Sequence, residues 1–169
     1  GHFVNRSEQL YVINGSPRAK FIICGGEGPA KGYDVNAADP GAMDLEIINN
    51  SYHTKKIYGE FSTSGGDRIR IFNSKHYGND GESYFVRGGG VLYVQQEYRA
   101  EPPGKGYLTL SESSKAKIEG SYLQGPFDCF AFIKDASSKV MILGCMSEDR
   151  FKFRGHLKNA ITIACCPRQ

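Results

Sequence analysis

Short runs in which apolar and polar residues alternate recur along the whole chain, separated by glycine, proline, asparagine and aspartate. Arg68-Ile-Arg-Ile71 places two isoleucines on one face and two arginines on the other, and Arg150-Phe-Lys-Phe-Arg154 follows the same pattern. A period of two residues is typical of half-buried β-strands. The 3.6-residue period of an amphipathic helix is absent throughout. We therefore predict an all-β protein.

The alternating runs predict about a dozen strands, spaced by roughly 10–14 residues. The predicted ranges are 10–13, 21–24, 44–48, 52–61, 68–72, 83–87, 91–98, 106–110, 116–122, 127–134, 139–144, 150–154 and 160–165. Evenly spaced short strands favour antiparallel sheets. We predict a jelly-roll-like antiparallel β-sandwich of about 10–12 strands, with a β-trefoil or a closed barrel as alternatives.

The 169 residues suit a single β domain that spans 1–169. Its first two residues, Gly1-His2, resemble the scar left when a leader is removed. No stretch approaches the ~20 apolar residues that a membrane span needs, so we expect no membrane insertion.

The five cysteines are unevenly distributed: Cys24 lies near the start, whereas Cys129, Cys145, Cys165 and Cys166 fall in the last 41 residues. Two apolar runs, 127–134 and 139–144, flank a polar turn and predict a hairpin that pairs Cys129 with Cys145. A second predicted disulfide joins Cys24 to Cys165 or Cys166. Buried reduced thiols of an intracellular protein are the alternative.

Three Asn-x-Ser sequons begin at Asn5, Asn14 and Asn49. Such sequons are acceptors for N-glycosylation. Together with the predicted disulfides, they favour a secreted glycoprotein.

Residues that suit phosphodiester cleavage occur close together in the sequence. Gly65-Gly-Asp-Arg-Ile-Arg-Ile-Phe-Asn73 resembles, over these nine residues, the Asp-Arg-Val-x-Phe-Asn strand of small fungal guanyl-specific ribonucleases. The resemblance implies RNA cleavage. The candidate catalytic residues are His53, Glu60, Arg68 and His76, with a base, an acid and a cation that neutralises the phosphorane. The alternative is a half-exposed strand with solvated charges.

Other catalytic or cofactor sites have little support. The sequence lacks Cys-x-x-Cys, His-x-His and Gly-x-Ser-x-Gly, so we predict neither a metal site nor a serine nucleophile. The glycines at 88–90 lie between two predicted strands and indicate a turn rather than a phosphate-binding loop. We expect no cofactor, and we favour a non-enzymatic protein.

Tyrosines and arginines concentrate in the glycine-rich middle of the chain. Tyrosine offers a large contact area, a hydroxyl group and a small entropic cost on binding. We predict a binding surface here, although half-buried sheet tyrosines are the alternative. Its candidate residues are Tyr77, Tyr84, Arg87, Tyr93, Tyr98, Arg99 and Tyr107.

The net charge of +3 is unevenly placed: residues 85–169 carry 12 Lys and Arg against 8 Asp and Glu, and no acid follows residue 149. A strand with Arg150, Lys152 and Arg154, followed by Lys158, predicts a basic patch that meets an anionic surface, or else a charged edge that prevents aggregation. The total charge is too small for a typical nucleic-acid-binding domain.

These observations favour a secreted, non-enzymatic binding protein, similar in composition to the effectors that pathogens deliver to hosts. We expect a protein partner, with carbohydrate as the second candidate and no nucleic acid. The alternatives are the ribonuclease-like enzyme and a lectin-like carbohydrate-binding module that uses the tyrosine region.

Overall fold

In the computed structural model the strands pair in parallel, and the chain winds as a β-solenoid, or β-helix, with three sheets. The structure describes residues 2–4, 9–15, 18–22, 25–27, 31–37, 39–53, 57–77, 82–100, 104–124, 127–148 and 150–167. Each coil contributes one strand to each sheet in turn. The rest of a coil therefore supplies the long connection that a parallel pair of strands requires.

The strands fall into sheets A, B and C according to their place in the coil. Sheet A contains β1 His2–Val4, β4 Gly25–Glu27, β7 Ser51–His53, β10 Lys75–Tyr77, β13 Tyr98–Ala100, β16 Tyr122–Leu123, β19 Met146–Ser147 and β22 Cys166–Pro167. Sheet B contains β2 Gln9–Asn14, β5 Lys31–Asn36, β8 Ile57–Ser62, β11 Glu82–Arg87, β14 Gly104–Leu110, β17 Phe127–Ile133 and β20 Phe153–Gly155. Sheet C contains β3 Arg18–Ile22, β6 Asp44–Ile48, β9 Arg68–Phe72, β12 Val91–Gln95, β15 Lys115–Glu119, β18 Lys139–Leu143 and β21 Ala160–Ile163. A short 3-10 helix, Leu157–Asn159, precedes β21.

Equivalent residues of successive coils lie side by side in register. In sheet C, Ile47, Ile71, Val94, Ile118 and Ile142 form one such column, with spacings of 24, 23, 24 and 24 residues. All five side chains are completely buried. Since alternate strand residues point inward, the three sheets enclose a single apolar interior.

An aromatic column fills the interior against sheet B. It consists of Tyr33, Tyr58, Tyr84, Tyr107 and Phe130, whose successive ring centroids lie 4.9–5.9 Å apart. Aromatic pairs at this distance contribute about 0.5–1.5 kcal/mol each beyond the area that they bury. The column therefore joins successive coils through side chains as well as through backbone hydrogen bonds.

The corner between sheets C and A is built from residues with left-handed backbone conformation. One such residue occurs in each described coil, with φ between 49° and 56°. The residues at this position are Asn49, Asn73, Gln96, Gly120, Gly144 and Ala164. Asparagine adopts this conformation at low cost, and the Asn73 amide also donates to Asn49 Oδ1 at 2.7 Å. The chain therefore turns sharply here without needing glycine in every coil.

The predicted antiparallel sandwich is wrong, and so are the β-trefoil and closed-barrel alternatives, because all described strand pairs are parallel. Three predicted strands also divide at corners. The range 52–61 separates into β7 and β8, 91–98 into β12 and β13, and 116–122 into β15 and β16. Left-handed residues cause two of these bends, at Gln96 and Gly120.

The predicted hairpin and disulfides are also wrong. The turn at 135–138 leads the chain around a corner from β17 in sheet B to β18 in sheet C, so these strands do not pair with each other. Cys129 lies in β17, whereas Cys145 precedes β19 of sheet A. Within the described residues, Cys129, Cys145 and Cys165 carry thiols rather than disulfides. Cys24 and the Cys166 side chain lie outside the described residues.

Gly88 occupies a position that no other residue can share. Its φ is 87°, and a Cβ atom would lie 1.8 Å from the backbone oxygen of Thr63. By contrast, a Cβ at Gly144 would have no atom within 4 Å. We expect Gly88→Ala to lower the free energy of unfolding by about 2–3 kcal/mol, and Gly144→Asn to change it by less than about 1 kcal/mol. Urea denaturation measures both values, and equal losses in the two variants would contradict this account of the corners.

Cys145 and Cys165, two of the described thiols, should differ in reactivity. Burial raises the pKa of Cys145 to about 11, whereas Cys165 is only half-buried. Because the thiolate is the reactive species, we expect iodoacetamide to modify Cys165 at least about tenfold faster than Cys145 in the folded protein. Peptide mass spectrometry follows each site. Equal rates are expected in denaturant, and equal rates in the folded state would show that Cys145 is accessible.

Candidate functional site

A row of aromatic side chains lies on the outer face of sheet A. Tyr98, Tyr122 and Met146 occupy equivalent positions of successive coils. In β10 the equivalent position is Lys75, and Tyr77 lies two residues further along the strand, beside Ala100. We call Tyr77, Tyr98, Tyr122 and Met146 the tyrosine column. Tyr98 is 40% exposed and Met146 is 55% exposed, so the column is open to a partner.

The tyrosine rings stack on one another. The Tyr98 and Tyr122 rings are nearly parallel, at an interplanar angle of 11° with centroids 5.5 Å apart. The Tyr77 ring lies 6.4 Å from that of Tyr98 and is tilted by 60°. Stacking therefore covers part of one face of each of the Tyr98 and Tyr122 rings, and the Tyr122 hydroxyl donates to Glu148 Oε1 at 3.4 Å.

A buried carboxylate lies directly behind this column. Glu97 precedes Tyr98 in sequence and is 1% exposed. One carboxylate oxygen accepts a 2.5 Å hydrogen bond from the Tyr84 hydroxyl, and the other accepts one from the Tyr107 hydroxyl. The backbone N–H of Glu97 donates to Ser121 Oγ at 3.1 Å. These bonds fix the chain immediately before Tyr98.

Arg99 anchors the other side of Tyr98. Its Nε donates to Ser83 Oγ at 2.9 Å, and one terminal nitrogen donates to the Gln124 backbone oxygen at 3.0 Å. The guanidinium also lies 4.5 Å from the centroid of the Phe127 ring. Burial lowers the pKa of Arg99, and the nearby Glu97 carboxylate opposes that shift.

The Glu97 carboxyl has unusual acid–base behaviour. Burial raises its pKa to about 7, although the hydrogen bonds from Tyr107 and Tyr84 and the charge of Arg99 act in the opposite direction. His76 Nδ1 lies 3.9 Å from Glu97 Oε1. The carboxyl can therefore exchange a proton near neutral pH, but it is enclosed by the solenoid.

The structure distributes the seven predicted binding residues over several places. Tyr77 and Tyr98 lie together in the tyrosine column. Tyr93 lies on the outer face of sheet C, where its hydroxyl donates to Glu119 at 2.6 Å, and Arg87 ends β11 of sheet B. The remaining three, Tyr84, Arg99 and Tyr107, are buried. Their role in the structure is to support the surface from inside.

The four candidate catalytic residues do not converge. Glu60 lies on sheet B in an ion pair with Lys31 at 2.5 Å, and Arg68 lies on the outer face of sheet C, 3.0 Å from an Asp44 oxygen. His76 is buried in the interior. The backbone of His53 belongs to β7, but its side chain lies outside the described residues.

The predicted basic patch divides between two corners. Arg150 and Lys152 precede β20 on the side of sheet B that adjoins sheet A. Arg154 lies in β20, and Lys158 lies in the 3-10 helix beyond it. All four side chains are exposed, but they do not form one strand.

Two of the three sequons can be located. Asn14 ends β2 and Asn49 lies at the corner before β7, and both side chains are exposed. Asn5 lies outside the described residues. Glycosylation of these sites stays a prediction.

Sequence reasoning missed Tyr122, Met146 and Glu97. The spacing of about 24 residues between equivalent positions would have placed Tyr122 and Met146 beside Tyr98, because this period repeats along sheet A. No local pattern marks Glu97 as buried, since its environment comes from Tyr84 and Tyr107, which lie 13 residues before it and 10 residues after it on strands of sheet B.

Comparison with protein-family models, curated proteins and solved structures finds no match to this chain. Function therefore has to be inferred from the geometry. In the described part of the chain, no helix is long and apolar enough to cross a membrane. No group of three His, Cys, Asp or Glu side chains among those residues could hold a metal ion.

The Glu97 carboxyl makes stability depend on pH. Its pKa rises from 4.5 to about 7 on folding, so its contribution is fully favourable below the unfolded pKa and is lost as pH rises through the folded pKa. A difference of this size corresponds to at most roughly 3 kcal/mol. We expect Glu97→Gln, which cannot ionise, to gain stability relative to the wild type between about pH 5 and about pH 8.

Urea denaturation at several pH values measures this difference. Glu112→Gln, a change at an exposed glutamate, is the matched control and should leave the pH dependence unchanged. A constant difference between Glu97→Gln and the wild type across the range would show that Glu97 does not titrate there.

Proposed function

We propose that this protein is a secreted, non-enzymatic binding protein whose tyrosine column contacts another protein. The observation that carries the proposal is the surface row of Tyr98, Tyr122 and Met146 on adjacent coils, in which Tyr98 and Met146 are exposed and Tyr122 is half-buried. Tyrosine and methionine are enriched in the cores of protein interfaces, and tyrosines are frequent binding hot spots. On a rigid parallel sheet they form a continuous contact area.

Ring geometry favours a protein partner over a sugar. A sugar-binding site of the lectin type uses open aromatic faces, whereas the Tyr98 and Tyr122 faces cover each other at an angle of 11°. The rings combine apolar edges with hydroxyl groups, and this combination suits the mixed apolar and polar surface of a protein. Met146 adds a flexible apolar side chain that adapts to a partner.

Preorganisation gives further support. The residues on both sides of Tyr98, Glu97 and Arg99, are held by buried hydrogen bonds. A side chain whose backbone is already fixed loses less conformational freedom when a partner binds. Secretion is part of the same proposal, and the exposed sequon residues Asn14 and Asn49 support it.

The test compares the wild type with Tyr98→Ser/Tyr122→Ser/Met146→Ser as immobilised baits for extracellular and cell-surface proteins. We expect the wild type to retain a specific protein, and the triple variant to bind that purified protein at least about tenfold more weakly. Biolayer interferometry with the purified protein gives the dissociation constants.

Tyr93→Ser is the matched control, because Tyr93 lies on the outer face of a different sheet and its replacement should leave the affinity unchanged. Circular dichroism verifies that every variant is folded. Equal affinity of the triple variant and the wild type would refute the role of the column. Binding to a glycan array that requires these tyrosines would favour the lectin-like alternative instead.

A further inference from the structure

Six cations, five of them exposed and Arg87 half-buried, surround the corner between sheets B and C in the second half of the solenoid. Arg87 and Arg154 lie in sheet B, Lys134 directly follows β17, Lys115 and Lys139 begin strands of sheet C, and Lys158 lies in the connection. We call these six residues the basic corner. Among the described residues, none of the six forms an ion pair with a carboxylate.

Cations of the first half behave differently. Lys20 pairs with Glu46 at 2.7 Å, and Arg70 lies within 3.0 Å of both Asp44 and Glu46. Arg68 also pairs with Asp44. Lys20, Arg68 and Arg70 are therefore neutralised by carboxylates of neighbouring strands, whereas the six cations of the basic corner are in no ion pair among the described residues.

One column of sheet C shows this change of pattern. In the first coils it alternates in sign, since Arg18, Asp44 and Arg68 lie in register. Further along, Lys115 lies directly beside Lys139. Like charges opposite each other on neighbouring strands destabilise a sheet. The stability of the sheet therefore does not explain why Lys115 and Lys139 lie side by side. Binding of an anionic ligand explains it.

The basic corner is held in a fixed arrangement. Lys134 Nζ lies 5.0 Å from the centre of the Phe85 ring, and the Arg87 guanidinium lies 5.7 Å from the same ring. Arg87 also donates to Ser62 Oγ at 2.8 Å. Asn159, next to Lys158, donates to two backbone oxygens of the preceding turn at 2.8 and 3.0 Å.

The carboxylates in the described turns of this corner leave the cations largely uncompensated. Asp135 is engaged by Ser137 and Ser138, which donate to it through their backbone N–H groups and hydroxyls. Glu112 is exposed. Two carboxylates therefore face six cations.

We propose that the basic corner binds an anionic polysaccharide, through charge pairing with its sulfate or carboxylate groups. The arrangement suits a polysaccharide better than a nucleic acid. Proteins that bind single strands stack bases on open aromatic rings, but cations cover the Phe85 and Phe132 rings here. Readout of a duplex requires an element that enters a groove, and this corner consists of short turns. The site lies apart from the tyrosine column and does not depend on it.

The test uses heparin as a sulfated polysaccharide and measures binding by isothermal titration at two salt concentrations. We expect measurable binding that weakens steeply with salt, as counterion release requires, and no binding to uncharged dextran. Lys134→Gln/Lys139→Gln should weaken heparin binding by at least about tenfold. Lys20→Gln/Arg68→Gln removes the same charge from the neutralised half and should weaken it by less than about threefold.

If Lys134→Gln/Lys139→Gln does not fold, Arg154→Gln/Lys158→Gln replaces it and should also weaken heparin binding by at least about tenfold. The Arg154 and Lys158 side chains pack on no aromatic ring of the described residues. If the corner variant and the control variant lose heparin affinity equally, the loss reflects net charge alone. That result would overturn the site. Absence of heparin binding, or tighter binding of single-stranded RNA than of heparin at equal salt, would overturn the polysaccharide assignment.

Discussion

The stacking of each coil on the next restricts which side chains the strand positions of this protein can hold. Parallel strands lie about 4.8 Å apart, so equivalent side chains of successive coils are always in contact. Apolar residues satisfy this constraint in the Ile47–Ile71–Val94 column, and an amide pair satisfies it at Asn49 and Asn73. Opposite charges satisfy it at Asp44 and Arg68. The same spacing brings Tyr98 onto Tyr122, so the surface follows the rule that governs the core.

The local alternation of apolar and polar residues was enough to predict where strands lie, but not which strands pair with each other. The predicted ranges 44–48 and 68–72 coincide with β6 and β9, because period-two alternation depends only on which residues are buried. That alternation is the same in parallel and antiparallel sheets, so the sandwich prediction had no support in it. The decisive signal was the recurrence of residues such as Ile47, Ile71 and Ile118 at multiples of about 24 residues.

The candidate site was predictable only in part, for a related reason. Composition pointed to tyrosines in the middle of the chain, and Tyr77 and Tyr98 do lie together. Whether a tyrosine faces outward depends on its parity in the strand and on the coils next to it. Tyr107 is buried because its side chain points inward from sheet B, where its hydroxyl donates to Glu97, directly before β13 of sheet A. Sequence proximity also grouped Glu60 with Arg68, although a corner separates them onto different sheets.

The buried charges and the exposed Tyr98 belong to one arrangement, because Glu97 and Arg99 are the residues on either side of Tyr98 in the sequence. The sheet A strands β13, β16 and β19 contain only two or three residues, so their backbone ladders fix them weakly. Hydrogen bonds to charged groups contribute about 1.5–3 kcal/mol each, but the desolvation of Glu97 and Arg99 offsets much of that gain. Their main effect is therefore positional: they hold β13 from inside, on both sides of Tyr98.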